Sequence, residues 1–250
     1  MIQLRRVLCT IVLCAVVMCL HTVNEKADLA IDQFRWHVTD SKPCVMSGLP
    51  ELIERSKEST VHIRVNNQWQ GSGVIIDEHT VLTAGHVVDG ANYVEIMLSD
   101  GYFLRAESWY KDPGNDCGIL KFKEKFLPSR ASKLAAQNSI TVGTPVILAG
   151  SPYGDTFFNT VAFGIVSGLD RNYGDFWPDV VTLDCLADPG YSGGPVFNMN
   201  GEIVGIVVGT YSRYGNSTVI TPVHILQEMI NNERAGIIKT TKPDTQSAVP

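Results

Sequence analysis

The chain has 250 residues, enough for one large domain or two small ones. Hydrophobic residues make up 44% of it and the net charge is −6, which excludes global disorder and the basic footprint of a nucleic-acid binder. Its 22 glycines and 12 prolines follow no period, so collagen-like and low-complexity classes are excluded as well.

Arg5 and Arg6 precede a mostly apolar run of 14 residues, 7–20, inside an uncharged stretch that continues to Asn24. A positive start followed by a short apolar run has the layout of a secretory signal. It is shorter than the roughly 20 residues of a membrane span. Residues 1–24 are therefore expected to be a signal peptide or an N-terminal membrane anchor. The protein is expected to be exported, secreted or periplasmic, or tethered to a membrane through that segment. Cys9, Cys14 and Cys19 fall inside it, which leaves Cys44, Cys117 and Cys185, an odd number with room for at most one bridge. No CxxC or Cys/His cluster points to zinc, and buried thiols are the expectation.

Residues 25–59 read as a connector that carries one short helix, 47–59, on Leu49, Leu52 and Ile53, with Ser47 as its cap. From residue 60 the signal is β. The period-two run 61–65 is followed by strand candidates at 73–76, 80–83, 93–98, 102–108, 118–122, 145–149, 160–167, 180–183, 195–198, 202–208 and 218–221. Turn formers separate them, among them Asp100-Gly101, Asp112-Pro113-Gly114-Asn115, Asn200-Gly201 and Tyr214-Gly215-Asn216. Many short strands at this spacing predict a barrel or a sandwich. A helix is predicted over 223–233, with Ile225, Leu226, Met229 and Ile230 on one face, and 233–250 is expected to be a flexible tail.

Three segments carry chemistry. Gly71-Ser72-Gly73 opens a strand pair that ends in Thr83-Ala84-Gly85-His86. Asn115-Asp116 opens the strand at 118–122. Asp188-Pro189-Gly190-Tyr191-Ser192-Gly193-Gly194-Pro195 sets a serine in a glycine-rich turn before a strand. A serine hydroxyl becomes a good nucleophile only when a base takes its proton, and that base must itself be oriented by a third group. His86, Asp116 and Ser192 supply base, orienter and nucleophile in one of the known chain orders of this triad. The glycines allow a turn that aims two backbone N–H groups at one point, an oxyanion hole. Pro189 has no N–H, so Gly190 and Ser192 are the expected donors.

On these motifs, together with the run Gly143-Thr-Pro-Val-Ile-Leu-Ala-Gly-Ser-Pro-Tyr-Gly at 143–154, the chain resembles the chymotrypsin-fold serine proteases, in particular their HtrA/Deg-like branch without a PDZ domain. The resemblance covers residues 60–232. It implies an all-β fold of two six-stranded antiparallel barrels with a C-terminal helix, a boundary near residue 140, and the active site between the barrels. It also implies a serine endopeptidase with a protein or peptide substrate and no cofactor or metal. A catalytically silent relative that binds peptides in the same cleft is the alternative. The oligomeric state is not legible.

Three departures stand out. Tyr191 occupies a position that is usually Asn in this branch. Val208 replaces a Ser/Thr that commonly supports the triad acid, so Asp116 is expected to be held by backbone N–H groups. Cys117-Gly118 follows Asp116 where a larger apolar residue and Ala are usual. The resemblance further implies a primary pocket floored by Leu186 and lined by Val208, Gly209 and Thr210, hence cleavage after small or medium aliphatic residues. His62, His79 and His224, like His37, match no motif and are expected in satisfied or surface roles. Asp112 is expected to form its Pro-Gly turn rather than to orient His86. The tryptophans are expected to be core or edge aromatics.

Overall fold

The computed structural model describes residues 48–174, 177–211 and 217–243. The expected targeting segment, the connector up to Ser47 with Cys44 and His37, the 214–216 turn and the last seven residues lie outside them.

Helix α1, Leu49–Ser59, starts from Gly48, which sits in the left-handed region at φ 91 and offers no side-chain cap. The cap position expected at Ser47 is therefore shifted by one. Leu52 is buried, Ser56 Oγ donates to the Leu52 carbonyl at 2.8 Å, and Thr60 Oγ1 donates to the Ser56 carbonyl at 2.7 Å as the chain turns into the first strand. The helix thus packs on the β domain instead of standing in the connector.

The first sheet holds β1 (Thr60–Val65), β2 (Trp69–Asp77), β3 (Thr80–Ala84), β4 (Val94–Met97), β5 (Phe103–Arg105), β6 (Ser108–Lys111) and β7 (Cys117–Lys121). Its order is β5-β4-β1-β2-β3-β7-β6. The second is a closed antiparallel barrel of β8 (Pro145–Gly150), β9 (Thr160–Arg171), β10 (Val180–Asp184), β11 (Pro195–Phe197), β12 (Ile203–Tyr211) and β13 (Ser217–Pro222), in the order β10-β13-β12-β11-β8-β9.

The first sheet has seven strands where six were expected, and the reason is local. The run predicted at 102–108 bends at Ala106-Glu107. The Ala106 N–H donates to the Val94 carbonyl at 2.9 Å, and the Glu107 N–H donates to the Lys121 carbonyl at 2.8 Å. One stretch of chain therefore pairs with β4 on one edge and β7 on the other. The sheet curls into a half-barrel, and a single bent strand counts as two.

Period-two alternation places Val61, Ile63, Val65, Val94, Ile96 and Leu120 in the first core, and Val146, Leu148, Val166, Leu183, Val196 and Ile220 in the second. A third cluster joins the sheets: Val74, Leu82 and Ile119 from the first, with Ile147, Phe197 and Ile206 from the second. Helix α2, Val223–Arg234, lays Leu226, Met229 and Ile230 onto it. Beyond this helix the expected loose tail is corrected as far as residue 243. Thr241 exchanges both backbone hydrogen bonds with Trp109, at 2.9 and 2.7 Å, because β6 otherwise presents an unpaired edge.

Candidate active site

His86 lies on a short 3-10 turn, Gly85–Val87, directly after β3. Val87 is buried, and the Trp69 indole N–H donates to its carbonyl at 2.8 Å, which fixes the turn from the neighbouring strand. The His86 side chain points outward and is 46% exposed, whereas Asp116 is 15% exposed. Asp116 precedes β7 in a left-handed conformation, φ 47, which a short acidic side chain tolerates better than most. Its carboxylate accepts the His86 backbone N–H at 2.8 Å and faces His86 Nδ1 with both oxygens, at 2.9 and 3.1 Å. Nδ1 must carry a proton to donate there, so the neutral ring keeps Nε2 free as a base. Asp112 does not compete. Its Oδ1 accepts the N–H groups of Gly114 and Asn115 and so holds the turn, as expected.

Backbone support of Asp116 was expected in place of the hydroxyl missing at Val208, and the His86 N–H supplies it. The second donor was missed. Trp177 Nε1 donates to Asp116 Oδ2 at 3.4 Å, and its ring lies over Gly209. Trp177 is 61 positions from Asp116 in the chain, so no local motif could reveal the pair.

The Ser192 turn is pinned from three sides. The Ser192 carbonyl accepts the Ser72 N–H at 2.7 Å. The Gly193 N–H donates to the Val207 carbonyl at 2.7 Å, and the Gly194 N–H to the Tyr191 carbonyl at 2.7 Å. Among the described residues no hydrogen bond joins Ser192 Oγ to His86. Gly190 has φ 108, and a Cβ there would collide with the Ser151 carbonyl, so only glycine fits this close approach. The Pro189 carbonyl accepts the Tyr153 N–H at 2.9 Å, which turns the N–H of the same peptide, that of Gly190, the opposite way. Among the described residues the Gly190 and Ser192 N–H groups have no acceptor.

Tyr191 is buried within the second barrel at 3% exposure, stacked where Gly150 leaves room, and burial pushes its phenol up to about 12. Its ring is thus taken into the core, away from solvent. Asp188 shapes the turn through its carbonyl, which accepts the Tyr191 N–H at 3.1 Å.

A cavity of about 680 Å³ opens beside the dyad, with Trp177 and Val208 on its lining and the charged Asp89, Lys111 and Asp112 on it as well. Val208 is buried, while Thr210 is exposed on the outer stretch of β12. Leu186 corrects the expected pocket floor. It is 52% exposed on the loop after β10, too open for the closed end of a pocket. Counting six residues back from the serine presumes a loop of fixed shape, and this loop turns outward.

The other described histidines and the described cysteines lie in satisfied or buried positions. His62 is buried against Ser151 Oγ at 2.8 Å, His79 Nδ1 meets the Phe122 carbonyl at 3.0 Å, and His224 pairs with Asp179 at 2.9 Å. Cys117 and Cys185 are buried free thiols held up by desolvation. No group of metal-ligating side chains occurs among the described residues.

The trypsin-like peptidase domain pattern matches residues 71–206. A probable periplasmic serine endoprotease DegP-like from Pseudomonas savastanoi pv. phaseolicola is 36% identical over 173 residues, 67% of this chain and 35% of the relative. Its counterpart from Pseudomonas fluorescens is 32% identical over 204 residues, 76% of this chain and 42% of the relative. The chain thus spans well under half the length of these curated relatives. Among solved structures, the HtrA-type protease AlgW with tripeptide superposes with a TM-score of 0.67 at 27% identity, covering 73% of this chain and 62% of that one. With the motifs at 83–86, 115–121 and 184–195 lying in or between two β-sheets, and the domain match spanning more than half its length, the chain belongs to the trypsin-like peptidase family.

Proposed function

We propose that this chain is an exported serine endopeptidase of the HtrA/DegP type. The observation that carries the reading is the His86–Asp116 pair in the same fold as a serine turn, with Nε2 of the imidazole and the Gly190 and Ser192 N–H groups unclaimed among the described residues. Ser192 Oγ attacks the scissile carbonyl as His86 Nε2 takes its proton. The tetrahedral oxyanion accepts hydrogen bonds from Gly190 and Ser192 N–H. His86 then hands the proton to the leaving amine, and water hydrolyses the acyl-enzyme by the same steps in reverse order. Asp116 holds the tautomer and stabilises the imidazolium. The peptide lies in the cleft along β12, whose residues beyond Val207 pair with β13 on one side only among the described residues.

Val208, Gly209 and Thr210 carry no charge, so a cationic or anionic side chain held against them would be desolvated without a partner. The proposed preference is for small or medium aliphatic residues on the acyl side, with loose discrimination among them. Gaps of about 1–3 kcal/mol per methylene set that limit.

A silent peptide-binding relative is the second reading, and the absence of a Ser192–His86 hydrogen bond favours it. Catalytic hydrogen bonds are often long before substrate arrives, so this observation weighs less than the preformed dyad. Turnover of a quenched peptide library by the wild type, abolished in Ser192→Ala, supports the protease. Equal peptide binding by both proteins with no turnover by either supports the silent relative.

A further inference from the structure

Ser72 sits in the middle of β2 and is fully buried. Every polar atom it has is engaged. Its N–H donates to the Ser192 carbonyl at 2.7 Å, and its carbonyl accepts Thr83 Oγ1 at 2.8 Å. Its hydroxyl donates to the Gly190 carbonyl at 2.7 Å and accepts the Ser151 N–H at 2.9 Å. One residue of the first sheet therefore grips two carbonyls of the serine turn and the end of β8 in the barrel. Gly193, at φ 83, comes so close that a Cβ would run into the Ser72 carbonyl and Thr83 Oγ1.

We infer that Ser72 is the positioning residue of the oxyanion turn, its hydroxyl setting the direction of the Gly190 carbonyl and with it the aim of the Gly190 N–H. Gly190 has no side chain to hold its own dihedrals, and glycine crosses φ/ψ space at little cost. Three hydrogen bonds hold it. The Tyr153 N–H fixes the peptide before Gly190, and the peptide after it is held by the Ser72 hydroxyl on its carbonyl and by the Asp188 carbonyl on its N–H. Only the Ser72 bond depends on a side chain. Removing that hydroxyl leaves a half-buried carbonyl and a buried N–H without their partner, and the turn relieves both by rotating about Gly190. Rotation swings the Gly190 N–H off the point where the oxyanion forms. The inference rests on the proposed role of Ser192.

Ser72→Ala tests it. Loss of one oxyanion donor lowers kcat by about 10²–10³-fold. The expected result is a fall in kcat of about 10²-fold with KM within about threefold. A peptidyl trifluoromethyl ketone, which forms an oxyanion on binding, weakens in the same proportion. Peptide affinity in Ser72→Ala/Ser192→Ala equals that in Ser192→Ala alone. A kcat within about threefold of wild type overturns the inference. So does unchanged ketone affinity, or an equal loss of kcat and of peptide affinity, which would report a collapsed cleft. If the alanine variant does not fold, Ser72→Cys keeps similar volume with a weaker donor. Its kcat should fall about tenfold at constant KM, and an unchanged kcat overturns the inference. A wild-type protein that neither turns over peptides nor takes up the ketone sinks the protease reading itself, which separates the two failures.

Discussion

Trp177→Phe removes the indole N–H that reaches the dyad together with the outer ring atoms beside Gly209, so it tests the indole's contribution as a whole. The hydrogen bond from Nε1 to Asp116 Oδ2 at 3.4 Å is lost, and with it go Cζ2 and Cη2, the ring atoms nearest Gly209. A hydrogen bond to a charged acceptor contributes about 1.5–3 kcal/mol at good geometry. At 3.4 Å it is longer than the usual ~2.9 Å, so about 1 kcal/mol is the reasonable figure. That corresponds to a roughly fivefold fall in kcat/KM, since about 1.4 kcal/mol is tenfold. Gly209→Ala reaches the same contact from the other side. Its Cβ would lie 2.7 Å from Trp177 Cζ2, so the indole must move. The two changes share one contact and should not add. Steady-state kinetics on a fluorogenic peptide, run on both single variants and the double, provides the assay. A Trp177→Phe enzyme indistinguishable from wild type, or fully additive losses, would refute the role assigned to the indole.

Gly190→Ala should lower kcat by about 10²-fold or more, because φ 108 and the Ser151 carbonyl both forbid the methyl; kinetics with a melting curve to verify folding checks it. His62 predicts a pH-dependent stability. Burial, aided by the nearby Arg64 charge, lowers its pKa from 6.5 to about 4, so the fold holds it neutral. The unfolded chain binds the extra proton first, hence this contribution is complete above about pH 6.5 and is lost as pH falls towards 4. It amounts to about 3 kcal/mol at most. Urea unfolding across that window should lose stability more steeply for wild type than for His62→Asn. Profiling with a peptide library should find Val, Ala or Leu on the acyl side of the cut, and a dominant Arg or Lys would contradict the proposed aliphatic preference.

Local patterns carried most of the fold. The period-two run at 61–65, the continuous apolar run at 145–149 and the i, i+3, i+4 spacing of α2 mark elements that pack into the core, and those were legible to within a few residues. Legibility stopped where long-range contacts decide. The bend at Ala106-Glu107 exists because two distant strands compete for consecutive N–H groups. Thr241 is held by an edge that only the folded sheet presents. In the site, His86 and Asp116 were readable because each sits in a motif with a chemical reason for its neighbours. Trp177 and Ser72 were not. Their roles are single hydrogen bonds across 61 and 118 positions, with no local signature. Leu186 was misplaced because a count along the chain cannot show which way a loop turns.

The central claim is that His86 and Asp116 make Ser192 a nucleophile. A fluorophosphonate reacts with an activated serine hydroxyl and not with an ordinary one, so mass spectrometry of the treated protein tests that claim directly. The account predicts one phosphonyl adduct per chain, on Ser192, absent in His86→Ala because no base is then left to take the serine proton. No adduct on the folded wild type, or an adduct on another serine, would contradict it.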